Sequence, residues 1–194
     1  FAANNGTTGT ELWRSDGTAA GTVLVKDIEP GAANAAPQHF TAMGGSVYFT
    51  AFHAQNFDTL WKTDGTSAGT HWVNPISGAA VSNQGHLGLH VIGDVLVFSA
   101  DDGSHGAEPW RSDGTEAGTW MLADLRPGAA GSNPKNFRVV GPRVLFQAND
   151  GVAGEELWIS DGSALGTRLL ADIAQPGGAS PSEMTAAGAL VRLA

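Results

Sequence analysis

Most of the acidic side chains lie in the second half of the chain, and carboxylates are the ligands that calcium prefers. Ca²⁺ needs several hard oxygen ligands converging at about 2.4 Å. The densest set of such residues comprises Asp101, Asp102, Glu108, Asp113 and Asp124. These five residues are the candidate metal ligands, and calcium is the one cofactor that the sequence suggests.

A second interpretation of the acidic residues is structural. Each of four aspartates stands directly before a glycine: Asp16, Asp64, Asp113 and Asp161. Aspartate in such a turn ordinarily accepts hydrogen bonds from its own backbone N–H groups. No twelve-residue EF-hand loop is present, so turn capping is the simpler role for these four residues.

Aromatic and histidine side chains define a second candidate site, for a carbohydrate or protein ligand. Trp72 and Trp120 occupy positions where other copies of a repeated segment carry residues such as Val23 and Arg168, so we expect them on the outside of the protein. Exposed indole rings offer stacking surfaces for sugars. His53 and His71 fall in the same irregular part of the sequence, residues 50–98, as Trp72, and they complete the candidate ligand-binding set.

Residue patterns for catalysis or zinc binding are weak. The serines lie in turns without a Gly-x-Ser-x-Gly motif, and carboxylate pairs cannot be told from turn caps. His86 and His90 are four residues apart, but the glycine-rich run around them does not favour a helix that would align them on zinc. The sequence therefore predicts that the chain is not an enzyme; a hydrolase or lyase with an axial pocket is the less favoured alternative.

One sequence motif, seen in full as Glu-Leu-Trp-Arg-Ser-Asp-Gly-Thr at residues 11–18, occurs four times along the chain and indicates its architecture. Its tryptophans are Trp13, Trp61, Trp110 and Trp158, at spacings of 48, 49 and 48 residues. A period of this length is typical of a propeller blade. The chain is thus one repetitive domain over residues 1–194, with repeat boundaries near 1–49, 50–98, 99–146 and 147–194.

Each repeat contains four short segments that read as β-strands. β-branched and aromatic residues dominate runs such as Val47–Ala51, which favours β-strands. The Asp-Gly-Thr motif joins two such runs as a hairpin. A Pro-Gly pair such as Pro30-Gly31 ends the last run, because proline cannot donate to a sheet. The predicted fold is an all-β propeller of four-stranded antiparallel blades, four blades per chain, with the four repeat tryptophans packed between blades.

The number of repeats does not determine how the ring of blades is closed. Four blades form a closed four-bladed ring, or half of a larger ring, or a ring completed by a second copy of the chain. Phe1 aligns with Phe49 in the middle of a strand. We therefore expect the sequence to be a processed or excised piece of a longer protein.

Composition limits the classes of partner. A net charge of -9 opposes binding to nucleic acid, which is recruited mainly by Lys and Arg. No run approaches the roughly 18 apolar residues of a membrane span. The chain has no cysteine, so disulfides and thiolate zinc sites are excluded.

The repeated motif resembles the repeat of the bacterial proteins that are named after their ELWxxDGT sequence. Residues 11–31 and 108–128 match the pattern best, whereas the second copy departs from it at Thr59, at Pro75 and at Phe52-His53-Ala54. The resemblance implies a repetitive β-structure in a secreted or cell-surface protein and no established enzymatic activity.

These observations together predict a function. The expected role is a non-catalytic binding or scaffolding module of a secreted or surface bacterial protein, with carbohydrate as one candidate ligand. The alternative is a structural self-assembly module stabilised by calcium.

Overall fold

A computed structural model describes residues 1–54, 57–73, 88–173, 178–179, 181, 184–187 and 190–192. Within these residues the chain forms β-strands and turns and no helix, and so no helix that could span a membrane. Pro75 and His86, which the sequence singled out, lie outside the described residues.

The strands form five sheets, which we label A to E in chain order. Sheet A contains β1 (Ala2–Asn4), β2 (Thr10–Arg14) and β3 (Val23–Lys26). Sheet B contains β4 (Gln38–Met43), β5 (Ser46–His53), β6 (Phe57–Thr63) and β7 (His71–Trp72). Sheet C contains β8 (His90–Ile92), β9 (Val95–Asp101), β10 (Ala107–Ser112) and β11 (Trp120–Met121). Sheet D contains β12 (Lys135–Val140), β13 (Arg143–Asn149), β14 (Glu155–Ser160) and β15 (Arg168–Ala171). Sheet E contains β16 (Thr185–Ala187) and β17 (Leu190–Arg192).

All strand pairs are antiparallel, and neighbours in sequence are neighbours in each sheet. The all-β class and the four-stranded antiparallel sheets are therefore confirmed for sheets B, C and D. The repeat boundaries near residues 49, 98 and 146 fall inside β5, β9 and β13. Each complete sheet thus combines the end of one sequence repeat with most of the next.

The second strand of each complete sheet is buried on both faces. In β9, Leu96, Val97 and Phe98 are consecutive and all buried. Consecutive residues of a strand point to opposite faces of the sheet, so both faces of sheet C must be covered. This explains why these runs are apolar throughout rather than alternating.

Four apolar clusters provide that cover, and each lies between two successive sheets. Leu12 of sheet A packs with Phe49 and Trp61 of sheet B, and Met43 of sheet B packs in one cluster with Trp110 of sheet C. Two further clusters join sheets C and D, and sheet D and Met184. The first strands of neighbouring sheets also lie together, with β8 beside β4 and β12, and β16 beside β12.

The predicted packing role of the repeat tryptophans is confirmed for three of them. Trp61, Trp110 and Trp158 are buried, and the Trp158 Nε1–H donates to the Ala148 carbonyl at 3.1 Å. Trp13 of sheet A is only partly buried. The sheet with three strands therefore covers its tryptophan less completely than the sheets with four.

Candidate functional site

The repeated Asp-Gly-Thr motif forms a network of local hydrogen bonds. In sheet C, the Asp113 carboxylate accepts from the Thr115 N–H at 2.9 Å and from its hydroxyl at 2.7 Å. The Thr115 hydroxyl in turn accepts from the Gly118 N–H at 3.0 Å, and the Thr119 hydroxyl donates to the Thr115 carbonyl at 2.7 Å. The same contacts recur around Asp16, Asp64 and Asp161. The turn-capping role of these aspartates is confirmed.

These hydrogen bonds change the acidity of the turn carboxyls. The hydroxyl of Thr115, followed by its N–H, lowers the pKa of Asp113. The hydroxyls of Thr18, Thr66 and Ser163 lower the pKa of the other three aspartates in the same way. Each turn is therefore built around an ionised carboxylate that accepts two local hydrogen bonds through Oδ1.

The five candidate calcium ligands have separate local roles. Asp101 accepts from the Gly103 N–H at 2.7 Å, and Asp102 contacts the His105 Nδ1 at 2.7 Å. Asp124 is exposed. In the part of the chain that the structure describes, no group of three or more His, Asp or Glu residues could hold a metal ion. The structure therefore does not bring Asp101, Asp102, Glu108, Asp113 and Asp124 together as a calcium site.

Glu108 is directed into the protein, away from any ion in solvent. Its two carboxylate oxygens accept from the N–H groups of Leu125, Arg126 and Ser132 at 3.1, 3.2 and 2.7 Å, and from the Ser132 hydroxyl at 2.6 Å. The residue is completely buried. Four donors occupy the oxygens that a cation would need, so Glu108 serves as a buried acceptor for the connection between sheets C and D.

The same arrangement occurs in two other sheets. Glu11 accepts from the N–H groups of Ile28, Glu29 and Ala35, and Glu156 accepts from those of Ile173 and Ala179. Both glutamates are completely buried. We call Glu11, Glu108 and Glu156 the buried glutamates; the first two bind the backbone that leads from their own sheet to the next.

Burial and hydrogen bonding act in opposite directions on the buried glutamates. Burial raises the pKa of Glu11 and Glu108, and the backbone N–H donors oppose that effect. In the second repeat, Thr59 stands at the equivalent position, and its buried hydroxyl has no hydrogen-bond partner among the residues that the structure describes. The second repeat thus lacks the acceptor that ties the connections after sheets A and C.

The candidate ligand-binding residues fall in two different sheets. Trp72 and His71 form β7 at the edge of sheet B, where both are exposed, and Trp72 pairs with Trp61. The His53 ring lies 6.4 Å from the Trp61 ring. Trp120 belongs to sheet C and lies partly buried under the Arg111 guanidinium, 5.2 Å from its ring centre. The structure therefore brings Trp72, His71 and His53 into one sheet and separates them from Trp120.

An open cavity of about 350 Å³, which the residue patterns do not predict, lies between sheets A and B. Its walls include the aromatic residues Phe1, Trp13 and Phe40 and the polar residues Arg14 and Asp64. Phe40 is stacked on the buried Phe49 with ring centres 5.4 Å apart. We call this cavity the A–B groove.

A partly buried histidine gives the fold a predicted dependence on pH. The His90 ring in β8 stacks on Phe137 with ring centres 5.1 Å apart. Burial, with a smaller contribution from the charge of Arg138, lowers the pKa of His90 from 6.5 to about 4. The unfolded chain therefore binds the proton more readily, and His90 contributes stability above pH 6.5 that is lost as the pH falls towards 4.

We expect wild-type protein to lose more stability than a His90→Leu variant between pH 7 and pH 4. The difference is at most about 3 kcal/mol for a shift of this size. Urea unfolding at a series of pH values measures it, and the wild-type minus variant difference removes the contribution of all carboxyl groups. His71→Gln, a change at an exposed histidine, is the control and should retain the wild-type profile. Identical profiles for wild type and His90→Leu would contradict the prediction.

Comparison with known proteins identifies structures with a similar fold. No protein-family model matches the chain, and no curated protein matches it. A crystal structure of a puromycin hydrolase mutant complexed with PGG is similar with a TM-score of 0.59 and 16% sequence identity. A second crystal structure of puromycin hydrolase is similar with a TM-score of 0.53 and 16% identity.

The extent of this likeness is unequal for the two proteins. In each case the match covers 86% of this chain but only 26% of the hydrolase chain. At this identity the comparison shows a shared fold. The chain spans about a quarter of the length of the structures that it matches.

The comparison corrects the function expected from sequence. This match contradicts the prediction of a non-catalytic binding or scaffolding module with carbohydrate as a candidate ligand, and it also contradicts the alternative of a self-assembly module stabilised by calcium. The matched structures are those of a hydrolase rather than of a lectin or an assembly protein. Of the candidate calcium ligands, Asp113 caps a turn and Glu108 accepts hydrogen bonds from a buried connection.

Proposed function

We propose that the chain forms blades of a β-propeller that serves a hydrolase, by bounding the route through which substrate reaches the catalytic groups. The observation that carries this proposal is the structural similarity to a quarter of puromycin hydrolase over 86% of this chain. In this proposal the nucleophile and its base lie outside the 194 residues. The repeat-family resemblance and a secreted or surface location stay predictions from the sequence.

The arrangement of the sheets supports a propeller. Successive sheets pack face to face, and the first strands β4, β8, β12 and β16 follow one another side by side. In propellers the first strands of the blades surround the central channel. The buried glutamates support the same role, because Glu11 and Glu108 accept hydrogen bonds from the backbone of the connecting segments and so hold successive sheets together.

A titration with puromycin and with short peptide amides tests this role. We expect a saturable change in the fluorescence of the six tryptophans, together with no release of the free amine from either substrate class. N-acetyltryptophanamide provides the correction for absorbance by the ligand. Release of the amine by this chain would show that it carries the catalytic groups itself, and the absence of any saturable change would contradict the substrate route.

A further inference from the structure

The loop between β1 and β2 contains the one Asn-Gly pair in the sequence, Asn5-Gly6. Both residues are exposed. An asparagine before glycine readily loses its side-chain amide, because glycine has no Cβ to hinder its own backbone nitrogen from reaching the preceding side chain. A Cβ placed on Gly6 would meet no atom within 4 Å. The neighbouring residues therefore leave this nitrogen open to the same reaction.

Three hydrogen bonds hold the Asn5 side chain over the backbone that follows it. Its Oδ1 accepts from the Thr7 N–H at 2.8 Å, from the Thr8 N–H at 2.9 Å and from the Thr8 hydroxyl at 3.2 Å. Attack on the side-chain carbonyl carbon places negative charge on this oxygen. Donors that already point at the oxygen stabilise that charge, as in an oxyanion hole. Within the described residues the Asn5 Nδ2 donates no hydrogen bond, so nothing there retains the leaving amide nitrogen.

The same loop in sheets C and D already carries an aspartate in place of Asn5. The Asp102 Oδ1 accepts from the N–H groups two and three residues further on, at 2.8 and 2.9 Å. The Asp150 Oδ1 accepts from the corresponding two N–H groups, both at 2.8 Å. In all three loops the glycine N–H donates at 2.7 Å to the side-chain oxygen of the residue before the Asx-Gly pair: Asn4, Asp101 and Asn149. The loop needs only an acceptor at position 5, and an aspartate there supplies the same oxygen.

The aspartates of the Asp-Gly-Thr turns are poor sites for the equivalent reaction. A carboxyl group can be attacked by the next nitrogen only when it is protonated, because an ionised carboxylate has no leaving group. Hydrogen bonds from the following hydroxyl and N–H lower the pKa of all four turn aspartates. Asn5 carries a neutral amide at every pH at which the protein is folded, so this protection does not apply to it.

We propose that Asn5 is a self-modification site, which is converted to aspartate in the folded protein while the loop keeps its structure. The Gly6 nitrogen loses its proton and forms a bond to the Asn5 Cγ. The bond between Cγ and Nδ2 breaks, and the amide nitrogen takes up a proton and leaves as ammonia. The product is a five-membered cyclic imide, in which the Gly6 nitrogen is bonded to both carbonyl carbons of residue 5.

Water then opens the imide at either of its two carbonyl carbons. Attack at Cγ breaks the new bond and leaves aspartate with the original peptide bond. Attack at the backbone carbonyl leaves the isoaspartyl isomer, whose main chain runs through the side chain and is one atom longer. Only the aspartate form preserves the spacing that pairs Asn4 with Thr10 across the loop. Either product adds one negative charge to a net charge of -9. This inference goes beyond the proposed function and does not depend on it.

Peptide mapping of the folded protein during incubation at mildly alkaline pH tests the reaction. Trypsin releases residues 1–14, and this peptide should gain the mass difference between an amide and an acid, with fragmentation locating the change at residue 5 rather than at Asn4. The synthetic peptide of the same sequence is incubated in parallel as the reference. Asn133 is the internal control and should stay unchanged, because the nitrogen of the following proline has no proton to lose. A folded protein that keeps Asn5 intact while the reference peptide is fully converted would overturn the proposal.

Two further variants test the role of the loop. Asp150→Asn places an Asn-Gly pair in the equivalent loop of sheet D and should create a second site of conversion there. Asn5→Asp should unfold at the same temperature as wild type, whereas Asn5→Ala, which removes the acceptor for the Thr7 and Thr8 N–H groups, should unfold at a lower temperature. An unconverted residue 150, or an Asn5→Asp protein no more stable than Asn5→Ala, would contradict the role given to this loop.

Discussion

Replacing Glu108 with alanine is expected to lower the free energy of unfolding by about 3–5 kcal/mol. The change removes the acceptor for three backbone N–H groups and one hydroxyl in the connection between sheets C and D. Buried donors without a partner keep their full desolvation cost, and hydrogen bonds to a charged group are the stronger kind. Urea unfolding of wild type and variant at neutral pH measures the difference.

Two further variants separate the role of Glu108 from general effects of charge and size. Glu116→Ala removes an exposed glutamate in the nearby turn of the same sheet and should change stability by less than about 0.5 kcal/mol. Glu108→Gln keeps one acceptor oxygen but turns an amide N–H₂ towards backbone donors, so an intermediate loss is expected. A Glu108→Ala variant as stable as Glu116→Ala would show that the connection does not depend on this carboxylate.

Repetition made the strands and turns predictable from the sequence. Tryptophans at a regular spacing indicated equivalent strands. The Asp-Gly-Thr motif indicated equivalent hairpins, because a turn of this type is determined by residues close in sequence. Asp113 and its equivalents bond to residues two positions away. Local contacts of this kind can be inferred from one repeat and checked against the other three.

The role of the buried glutamates could not be inferred in the same way. Glu108 bonds to Ser132, 24 residues further along the chain, and nothing about a glutamate alone distinguishes a calcium ligand from a buried acceptor. The sequence did contain one indication of this role. A glutamate recurs in three repeats directly before Leu-Trp or Pro-Trp, within a strand that must face a core. A charged residue recurring at a core position predicts buried donors, because an unpaired buried charge is too costly.

The A–B groove could not be predicted from the residue patterns either. Phe40 and Phe137 are the same residue type at equivalent positions, but Phe137 is buried and Phe40 is exposed. The contacts from the neighbouring sheet differ: His90 of β8 stacks on Phe137, whereas the strands described in sheet A begin with β1 at Ala2, which pairs with β2. Exposure of an aromatic residue in a repetitive fold thus depends on what the adjacent unit contains, and this information is not in its own repeat.

Contacts between adjacent sheets also predict that equivalent glycines will respond differently to substitution. Gly17 and Gly114 occupy the same place in the Asp-Gly-Thr turn, with φ of +91° and +87°. Alanine at either position must adopt a left-handed backbone, which costs about 1–2 kcal/mol. A Cβ at residue 17 meets no atom within 4 Å, but a Cβ at residue 114 would overlap the buried Tyr48 side chain.

We therefore expect Gly114→Ala to cost about 3–4 kcal/mol and Gly17→Ala about 1–2 kcal/mol, since overpacking adds to the backbone strain only at residue 114. Tyr48→Phe removes the hydroxyl that lies closest to the new Cβ, so Gly114→Ala should cost at least about 1 kcal/mol less in that background. Urea unfolding of the four proteins in this cycle, with Gly17→Ala as the control, measures both effects. Equal costs for the two glycines would show that the turn of sheet C does not rest on Tyr48 of sheet B, and that the sheets are joined by their apolar clusters alone.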